Sequence, residues 1–147
     1  MRVAVASDHA GFALKSELIA YLKERGISVE DVGVARAERC DYPDYAVQAC
    51  SRIQDGAADW GLLVCGTGVG MSMCANKLSG IRAAVVSDTF SAAGTRAHNN
   101  ANVLCMGERV VGVGLAKQIV DVWIETSFEG GRHQARIDKM MKIEEKA

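Results

Sequence analysis

The residues of this chain whose types and spacing best suit chemistry stand at 65–70, where Cys65 directly precedes the run Gly-Thr-Gly-Val-Gly. An apolar stretch at 60–64 leads into Cys65, and helical spacing resumes after Gly70, so the segment should be a turn between a strand and a helix. The glycines let backbone N–H groups converge on one oxygen atom, and the start of the helix adds partial positive charge. A thiol placed there can act as a nucleophile or as a general base.

Polar residues also follow other apolar runs. Asp8 and His9 follow the first run, and Arg109 follows the last. Because the carboxyl ends of parallel strands meet at one edge of a sheet, we expect these side chains to gather around Cys65. Asp8 is equally suited to cap the helix that comes after it.

Three histidines, His9, His98 and His133, lie at boundaries between predicted elements. His98 precedes the last predicted strand, and it reaches the edge that carries Cys65 if the preceding helix ends there. A hydrogen-bonded surface or core position is the alternative for each histidine taken alone. No two of them are three or four positions apart, which argues against a metal site.

Arg132 and Arg136 are four positions apart in a helical pattern, so they share a face and repel each other by about 0.2–0.5 kcal/mol. Arg132 also stands near a predicted helix start, where the helix dipole disfavours a cation. This placement indicates an anionic ligand such as a phosphate, to which Arg109 and His9 can add. The alternative is an ordinary solvated charged face.

The apolar pattern predicts the elements that must position these residues. Strand-like runs occur at 2–6, 28–32, 59–64, 82–86 and 102–106, and helical patterns occur at 11–25, 43–55, 69–78, 89–97 and 112–126, followed by a polar helical tail to Ala147. This alternation predicts an α/β fold, a Rossmann-like three-layer αβα sandwich with a five-stranded parallel sheet, flanking helices and a C-terminal helix. We expect a single domain over 1–147. The tail has little apolar surface, so it can pack on another subunit.

The composition excludes several classes of protein. A net charge of −1 and an aromatic content of 5% over 147 residues offer neither the basic field nor the stacking surfaces of a nucleic-acid partner. The N-terminal residues lack the apolar core of a signal peptide, and no apolar run approaches a bilayer span, so we expect a cytoplasmic protein without a membrane partner. The five cysteines are odd in number and show no Cys-x-x-Cys spacing, which disfavours disulfides and zinc. We expect Cys74 and Cys105 to be buried.

Other uses of the Cys65 turn fit less well. A tyrosine-phosphatase loop needs an arginine six positions after the cysteine, where this chain has Met71. A dinucleotide fingerprint would use Gly66 and Gly68, but Met71 also stands where its third small residue belongs, although Asp88 lies where a ribose-binding acid is expected. The turn, the histidines and the arginine pair together point to chemistry on a phosphorylated metabolite.

Over nearly its full length the chain resembles the ribose-5-phosphate isomerase B family, with its lactose-pathway and allose-6-phosphate isomerase relatives. The resemblance is carried by residues 7–12, 41–43, 65–70, 75–77, 80–83, 98–103, 107–112 and 129–133. One branch of the family has a cysteine before the Gly-Thr-Gly turn, and another uses a glutamate shortly after it. This chain is similar to the cysteine branch, because Cys65 is present and Met71 replaces the glutamate.

The resemblance implies interconversion of ribose 5-phosphate and ribulose 5-phosphate, an aldose–ketose isomerisation of the pentose phosphate pathway that passes through a cis-enediolate. Cys65 would move the proton between C2 and C1, and Thr67 would relay a proton between the two oxygens. His98 would open the furanose ring. Taken alone, the glycine-rich turn would suit the phosphate; the resemblance instead assigns its amides to an oxyanion hole.

The resemblance also implies how the substrate is held. The substrate-binding residues would be Asp8, His9, Tyr42, Gly66, Thr67, Gly68, Val69, Gly70, Asn99, Arg109, Arg132 and Arg136. Asp8, Tyr42 and Asn99 would bind sugar hydroxyls. His9 and the three arginines would bind the phosphate, with the C-terminal pair lent by the partner chain of a homodimer or a dimer of dimers.

No metal and no organic cofactor is implied. Two alternatives remain open at this point: a hexose phosphate such as allose 6-phosphate as the substrate, or a non-catalytic sensor of sugar phosphates or nucleotides, since a fold does not determine a function.

Overall fold

In the computed structural model, residues 1–146 are described and form a five-stranded parallel sheet between two layers of helices. The strands are β1 (Arg2–Ser7), β2 (Ser28–Gly33), β3 (Trp60–Cys65), β4 (Ala83–Val85) and β5 (Val103–Gly107). The helices are α1 (Phe12–Glu24), α2 (Tyr42–Gln54), α3 (Val69–Ala75), α4 (Thr89–Ala97), α5 (Val113–Glu125) and α6 (Arg132–Met141), with single 3-10 turns at His9–Gly11 and Glu144–Lys146. The predicted αβα sandwich is confirmed. Ala147, the last residue of the expected tail, lies outside the described residues.

The ends of the elements agree closely with the sequence prediction, except at α3. Helical spacing continues to residue 78, but the helix ends at Ala75 and Asn76 caps it. The Asn76 side chain accepts a hydrogen bond from Ala83 N (2.8 Å) and donates one to Ala83 O (2.9 Å). The chain therefore leaves the helix early because this amide binds the start of β4.

The strands lie in the order β2-β1-β3-β5-β4, and every pairing is parallel. The chain runs from β1 outward to β2 and then crosses to the other side of β1 to form β3. Such a reversal opens a crevice outside the carboxyl ends of the two strands, where α/β proteins bind ligands. Because β5 lies between β3 and β4, the last residue of β3, Cys65, is paired with Gly107 at the end of β5.

Alternate residues of the central strands face two separate cores. Val3 and Val5 of β1 pack in a core with α1 and α5, whereas Ala4 and Ala6 pack in a core with α2 and α3. This period of two is what a strand covered on both faces requires. Within residues 1–146, no helix combines the length and the apolar character needed to cross a bilayer.

Candidate active site

The thiol of Cys65 lies at the carboxyl end of β3 and is 5% exposed. Its Sγ accepts a hydrogen bond from the backbone N–H of Gly68 at 3.1 Å. Gly68 has a φ of 80°, a left-handed conformation that glycine adopts without strain, and this turn brings its N–H back toward the sulfur. A backbone donor on sulfur stabilises negative charge that develops there during a reaction.

The turn after Cys65 packs directly on the end of β5. A Cβ atom at Gly107 would lie 2.5 Å from the Cα and the carbonyl carbon of Thr67, which is closer than any side chain tolerates. The backbone N–H groups of Glu108 and Arg109 donate to the carbonyl oxygens of Cys65 (2.9 Å) and Gly66 (3.1 Å). The loop that carries the thiol is therefore held against its neighbour strand by backbone hydrogen bonds and by close packing.

Thr67 and Arg109 stand at the open side of this turn. Both are exposed, and the Thr67 hydroxyl accepts a hydrogen bond from Val69 N at 3.2 Å. The Arg109 Nη1 lies 3.2 Å from the position that a Cβ on Gly66 would occupy. A guanidinium and a hydroxyl thus flank the glycine-rich backbone close to the sulfur.

Asp8, His9 and Tyr42 surround the same turn. Asp8 is 6% exposed, and its backbone N–H donates to Val64 O at 3.3 Å, beside the end of β3. The Nδ1 of His9 accepts from Cys40 N at 3.3 Å, which joins it to the segment before α2. The Tyr42 ring lies 2.7 Å from where a Cβ on Gly70 would stand.

The capping alternative for Asp8 is also realised. Its Oδ1 accepts hydrogen bonds from Ala10 N (3.0 Å) and Gly11 N (3.1 Å), so one carboxylate oxygen caps the first helical turn. Because both bonds go to Oδ1, the same side chain keeps its second oxygen for another partner.

Asp88, considered above as a ribose-binding acid, is a helix cap instead. Its Oδ1 accepts from Ser91 N at 2.6 Å at the start of α4. This backbone hydrogen bond lowers the pKa of Asp88. The nucleotide reading of the glycine-rich turn therefore loses its acidic residue.

Four predicted site residues lie away from the Cys65 turn, at the other edge of the sheet: His98, Asn99, Arg132 and Arg136. The condition under which His98 would share the Cys65 edge is not met, because α4 runs back along the sheet and ends at the amino end of β5. Asn102, just after this segment, accepts from Gly61 N near the start of β3. The length of β5, about 13 Å at roughly 3.3 Å per residue, separates the two groups within one chain.

At this second location, His98 is joined to a residue that the sequence analysis did not assign, Glu129. The Glu129 Oε2 lies 3.4 Å from His98 Nε2 and 3.5 Å from His133 Nε2. The two imidazole rings stack with their centroids 4.3 Å apart and an interplanar angle of 13°. The sequence did not predict this cluster because only the spacings between histidines were compared. The i, i+4 spacing of Glu129 and His133 was the available signal.

The three arginines assigned to phosphate are free of carboxylates. Among residues 1–146, Arg109, Arg132 and Arg136 form no ion pair, and all three are exposed. Arg132 is the first residue of α6, as the sequence predicted. Their charges are therefore available to an anion.

Glu108 is a structural residue of the site that sequence reasoning passed over. Its Oε1 accepts from Leu14 N at 2.6 Å, across 94 positions of the chain, and so caps the start of α1. This contact ties α1, which follows Asp8 and His9, to the segment that fixes the Cys65 turn.

The remaining cysteines differ from Cys65. Burial raises the pKa of Cys50 to about 12 and raises that of Cys105 well above its ordinary value. Cys105 is buried, as expected, but Cys74 is only half-buried, because its position on α3 turns it toward the rim of the core.

Comparison with known proteins finds relatives that match nearly the whole chain. The family model described as Ribose/Galactose Isomerase matches residues 3–140. Ribose-5-phosphate isomerase B of Escherichia coli (strain K12) is 50% identical over 145 residues, covering 99% of this chain and 97% of that protein. The structure of Clostridium thermocellum ribose-5-phosphate isomerase B superimposes with a TM-score of 0.98 at 46% identity, covering 99% of both chains.

A second similar structure was solved with a sugar phosphate. Ribose-5-phosphate isomerase B from Mycoplasma genitalium with bound ribulose-5-phosphate has a TM-score of 0.95 and 41% identity, covering 99% of this chain and 97% of that one. With a matching family model over most of its length and relatives this similar, the chain belongs to the ribose/galactose isomerase family.

Proposed function

We propose that this protein interconverts ribose 5-phosphate and ribulose 5-phosphate through a cis-enediolate, with Cys65 as the base. The observation that carries the proposal is the Cys65 sulfur itself, which lies at the end of β3 with the Gly68 N–H on it at 3.1 Å. Similarity to proteins named ribose-5-phosphate isomerase B supports this substrate. The reaction is a step of the pentose phosphate pathway, and the chain would perform it as one domain in the cytoplasm.

The glycine-rich turn supports the chemistry of the enediolate. Cys65 takes the proton from C2 of the open-chain aldose and returns it to C1, while Thr67 moves a proton between O1 and O2. The backbone N–H groups of 66–70 stabilise the oxygen that becomes negative, where one such donor is worth about 2.7–4 kcal/mol. The protein's own amides thus supply the electrostatic stabilisation that the enediolate requires.

The proposed active site is shared between two copies of the chain. One copy supplies Cys65 and the residues around its turn, and the other supplies His98, Asn99, Arg132 and Arg136, because these two groups lie at opposite edges of the sheet within one copy. A homodimer, or a dimer of dimers, would bring them together.

Exposed apolar side chains support such an interface near β4, which is an edge strand of the sheet. Val85 on β4 is 46% exposed, Phe90 at the start of α4 is 89% exposed, and Met73 on α3 is 62% exposed. Large apolar side chains on the elements around one edge are typical of a surface that another protein covers. We assign a second copy to this surface because the site is incomplete without one.

The test is a coupled isomerase assay over a panel of five- and six-carbon aldose phosphates in the presence of EDTA. We expect turnover with ribose 5-phosphate, and loss of turnover by at least about a thousandfold in Cys65→Ala with binding of the sugar phosphate retained. Cys74→Ala, a half-buried cysteine outside the turn, is the matched control and should keep activity. Wild-type-like turnover in Cys65→Ala would refute the assignment of the base.

The panel also separates the alternatives. Preference for allose 6-phosphate would make the protein a hexose-phosphate isomerase of the same family. Tight binding without turnover of any sugar in the parent protein would identify a sensor.

A further inference from the structure

We infer that Glu129 is a positioning residue for ring opening, which orients the His98 imidazole and leaves its Nδ1 free for the substrate. This inference rests on the ring-opening role proposed for His98. It gives a function to Glu129, which the proposed function does not use.

The contact between the two side chains defines the orientation. The carboxylate Oε2 of Glu129 lies 3.4 Å from Nε2 of His98. A carboxylate beside Nε2 favours the tautomer that carries its proton there, and the Nδ1 lone pair is then available as an acid–base group. Such contacts are often long in an unliganded site and shorten when substrate binds.

The backbone holds Glu129 close to His98. The N–H of Glu129 donates to Ala97 O at 3.0 Å, so the loop before α6 is joined to the last residue of α4, next to His98. Gly130 and Gly131 follow with φ values of 68° and 57°, a left-handed pair that lets the chain turn at once into α6. The backbone of Glu129 is therefore held next to His98, within reach of its imidazole.

His133 is the third side chain of this cluster and packs against the ring of His98. It is 7% exposed, and its ring stacks on that of His98. Burial, the neighbouring His98 imidazole and Arg132 lower the pKa of His133, so it is neutral at pH 7. Glu129 acts in the opposite direction on the pKa of His133, and its Oε2 also lies beside His98, with Arg132 and Arg136 as the neighbouring cations.

A metal ion is the competing explanation for this cluster, because the donor atoms of His98, Glu129 and His133 all lie within 4.8 Å of one another. The geometry favours the proton role. Imidazole lone pairs lie in the ring plane, and two rings stacked at 13° direct them side by side rather than toward one ion. Two arginines, Arg132 and Arg136, also place positive charge beside the cluster.

The experiment compares a reaction that needs ring opening with one that does not. Ribose 5-phosphate is largely a furanose, whereas ribulose 5-phosphate cannot close such a ring because its O5 carries the phosphate. Turnover of ribose 5-phosphate therefore includes ring opening, and exchange of the C1 proton of ribulose 5-phosphate with deuterated solvent does not. Both are measured for the wild type, Glu129→Gln, Glu129→Asp, His98→Asn and the double variant His98→Asn/Glu129→Gln.

We expect Glu129→Gln to lower kcat on ribose 5-phosphate about tenfold, with KM and the exchange rate within about twofold of the wild type. Glu129→Asp should recover part of the loss, and the double variant should be no slower than His98→Asn alone. Glu145→Gln, an exposed glutamate on the C-terminal turn, is the matched control and should behave as the wild type.

Each contrary result has one meaning. If His98→Asn lowers turnover and exchange equally, or lowers neither, the proposed role of His98 is wrong. If His98→Asn is selective but Glu129→Gln equals the Glu145 control, or if the two losses multiply in the double variant, only the role of Glu129 is wrong. Activity lost on dialysis against EDTA and restored by Zn²⁺ would replace the positioning role with a metal site.

Discussion

The five thiols of this chain occupy different environments, and within residues 1–146 only Cys65 accepts a hydrogen bond from a backbone donor in a glycine-rich turn. The Gly68 N–H lies on the Cys65 sulfur at 3.1 Å, whereas Cys50 and Cys105 are enclosed by apolar side chains. Burial without a donor favours the neutral thiol of Cys50 and Cys105, whereas the donor at Cys65 can stabilise negative charge that develops on its sulfur as it reacts. Chemical reactivity can therefore rank these residues.

We predict that iodoacetamide modifies Cys65 of the native protein at least about tenfold faster than Cys50 or Cys105 at pH 8. With its pKa raised to about 12, Cys50 is a thiolate in only roughly one molecule in 10⁴ at that pH. Peptide mapping by mass spectrometry over time measures the three rates, and ribose 5-phosphate should protect Cys65. Equal labelling of Cys65 and Cys105 before any unfolding would contradict the prediction.

At the scale of elements, the end of β5 acts as the support of the Cys65 turn. Gly107 pairs with Cys65 in the sheet, and its missing side chain lets Thr67 lie against the strand. The glycine is therefore required by a neighbouring segment far away in the sequence and not by its own conformation.

We predict that Gly107→Ala displaces the turn and lowers kcat by about a hundredfold, because a shift of roughly 1 Å in reacting groups has that effect. The added methyl should also cost about 1–3 kcal/mol of folding free energy by overpacking. Steady-state kinetics and urea unfolding measure the two effects.

Gly112→Ala is the matched control for this change. Gly112 lies just before α5, and a Cβ there would have no atom within 4 Å. It should keep both activity and stability. An active Gly107→Ala variant would show that the turn adapts without loss.

At the scale of the whole molecule, the proposed site residues fall into two groups at opposite edges of one sheet. Cys65 belongs to the carboxyl edge, and His98 and Arg136 belong to the region at the amino end of β5. Among residues 1–146 the arginines of both groups form no ion pair, and we propose that each group supplies half of a phosphate site. A two-fold dimer would join the halves into two complete sites.

We predict that Cys65→Ala and Arg136→Ala, each inactive alone, regain activity when they are refolded together in equal amounts. In a mixed dimer one site carries both changes and the other carries neither. Because half of the dimers are mixed after random reassortment, about a quarter of wild-type activity should return. Isomerase activity is measured against each variant refolded alone. Mixed dimers, identified by size and differential tagging, that remain inactive would show that Arg136 serves its own chain.

Much of the fold followed from local pattern. The strands, the helices and the glycine-rich turn behind Cys65 were all predicted, because a side-chain period of two or 3.6 and a glycine at a left-handed turn are properties of a few adjacent residues. The family resemblance likewise depends on short motifs of consecutive residues, which can be recognised in the sequence directly.

The tertiary structure alone decided which of these motifs meet. The insertion of β5 between β3 and β4 puts Gly107 beneath the Cys65 turn, and the direction of α4 carries His98 away from it. The contacts of Glu108 with Leu14 and of Glu129 with His98 likewise join residues that lie far apart in the chain. Such long-range pairings depend on how whole elements pack against one another, and no local periodicity records that packing.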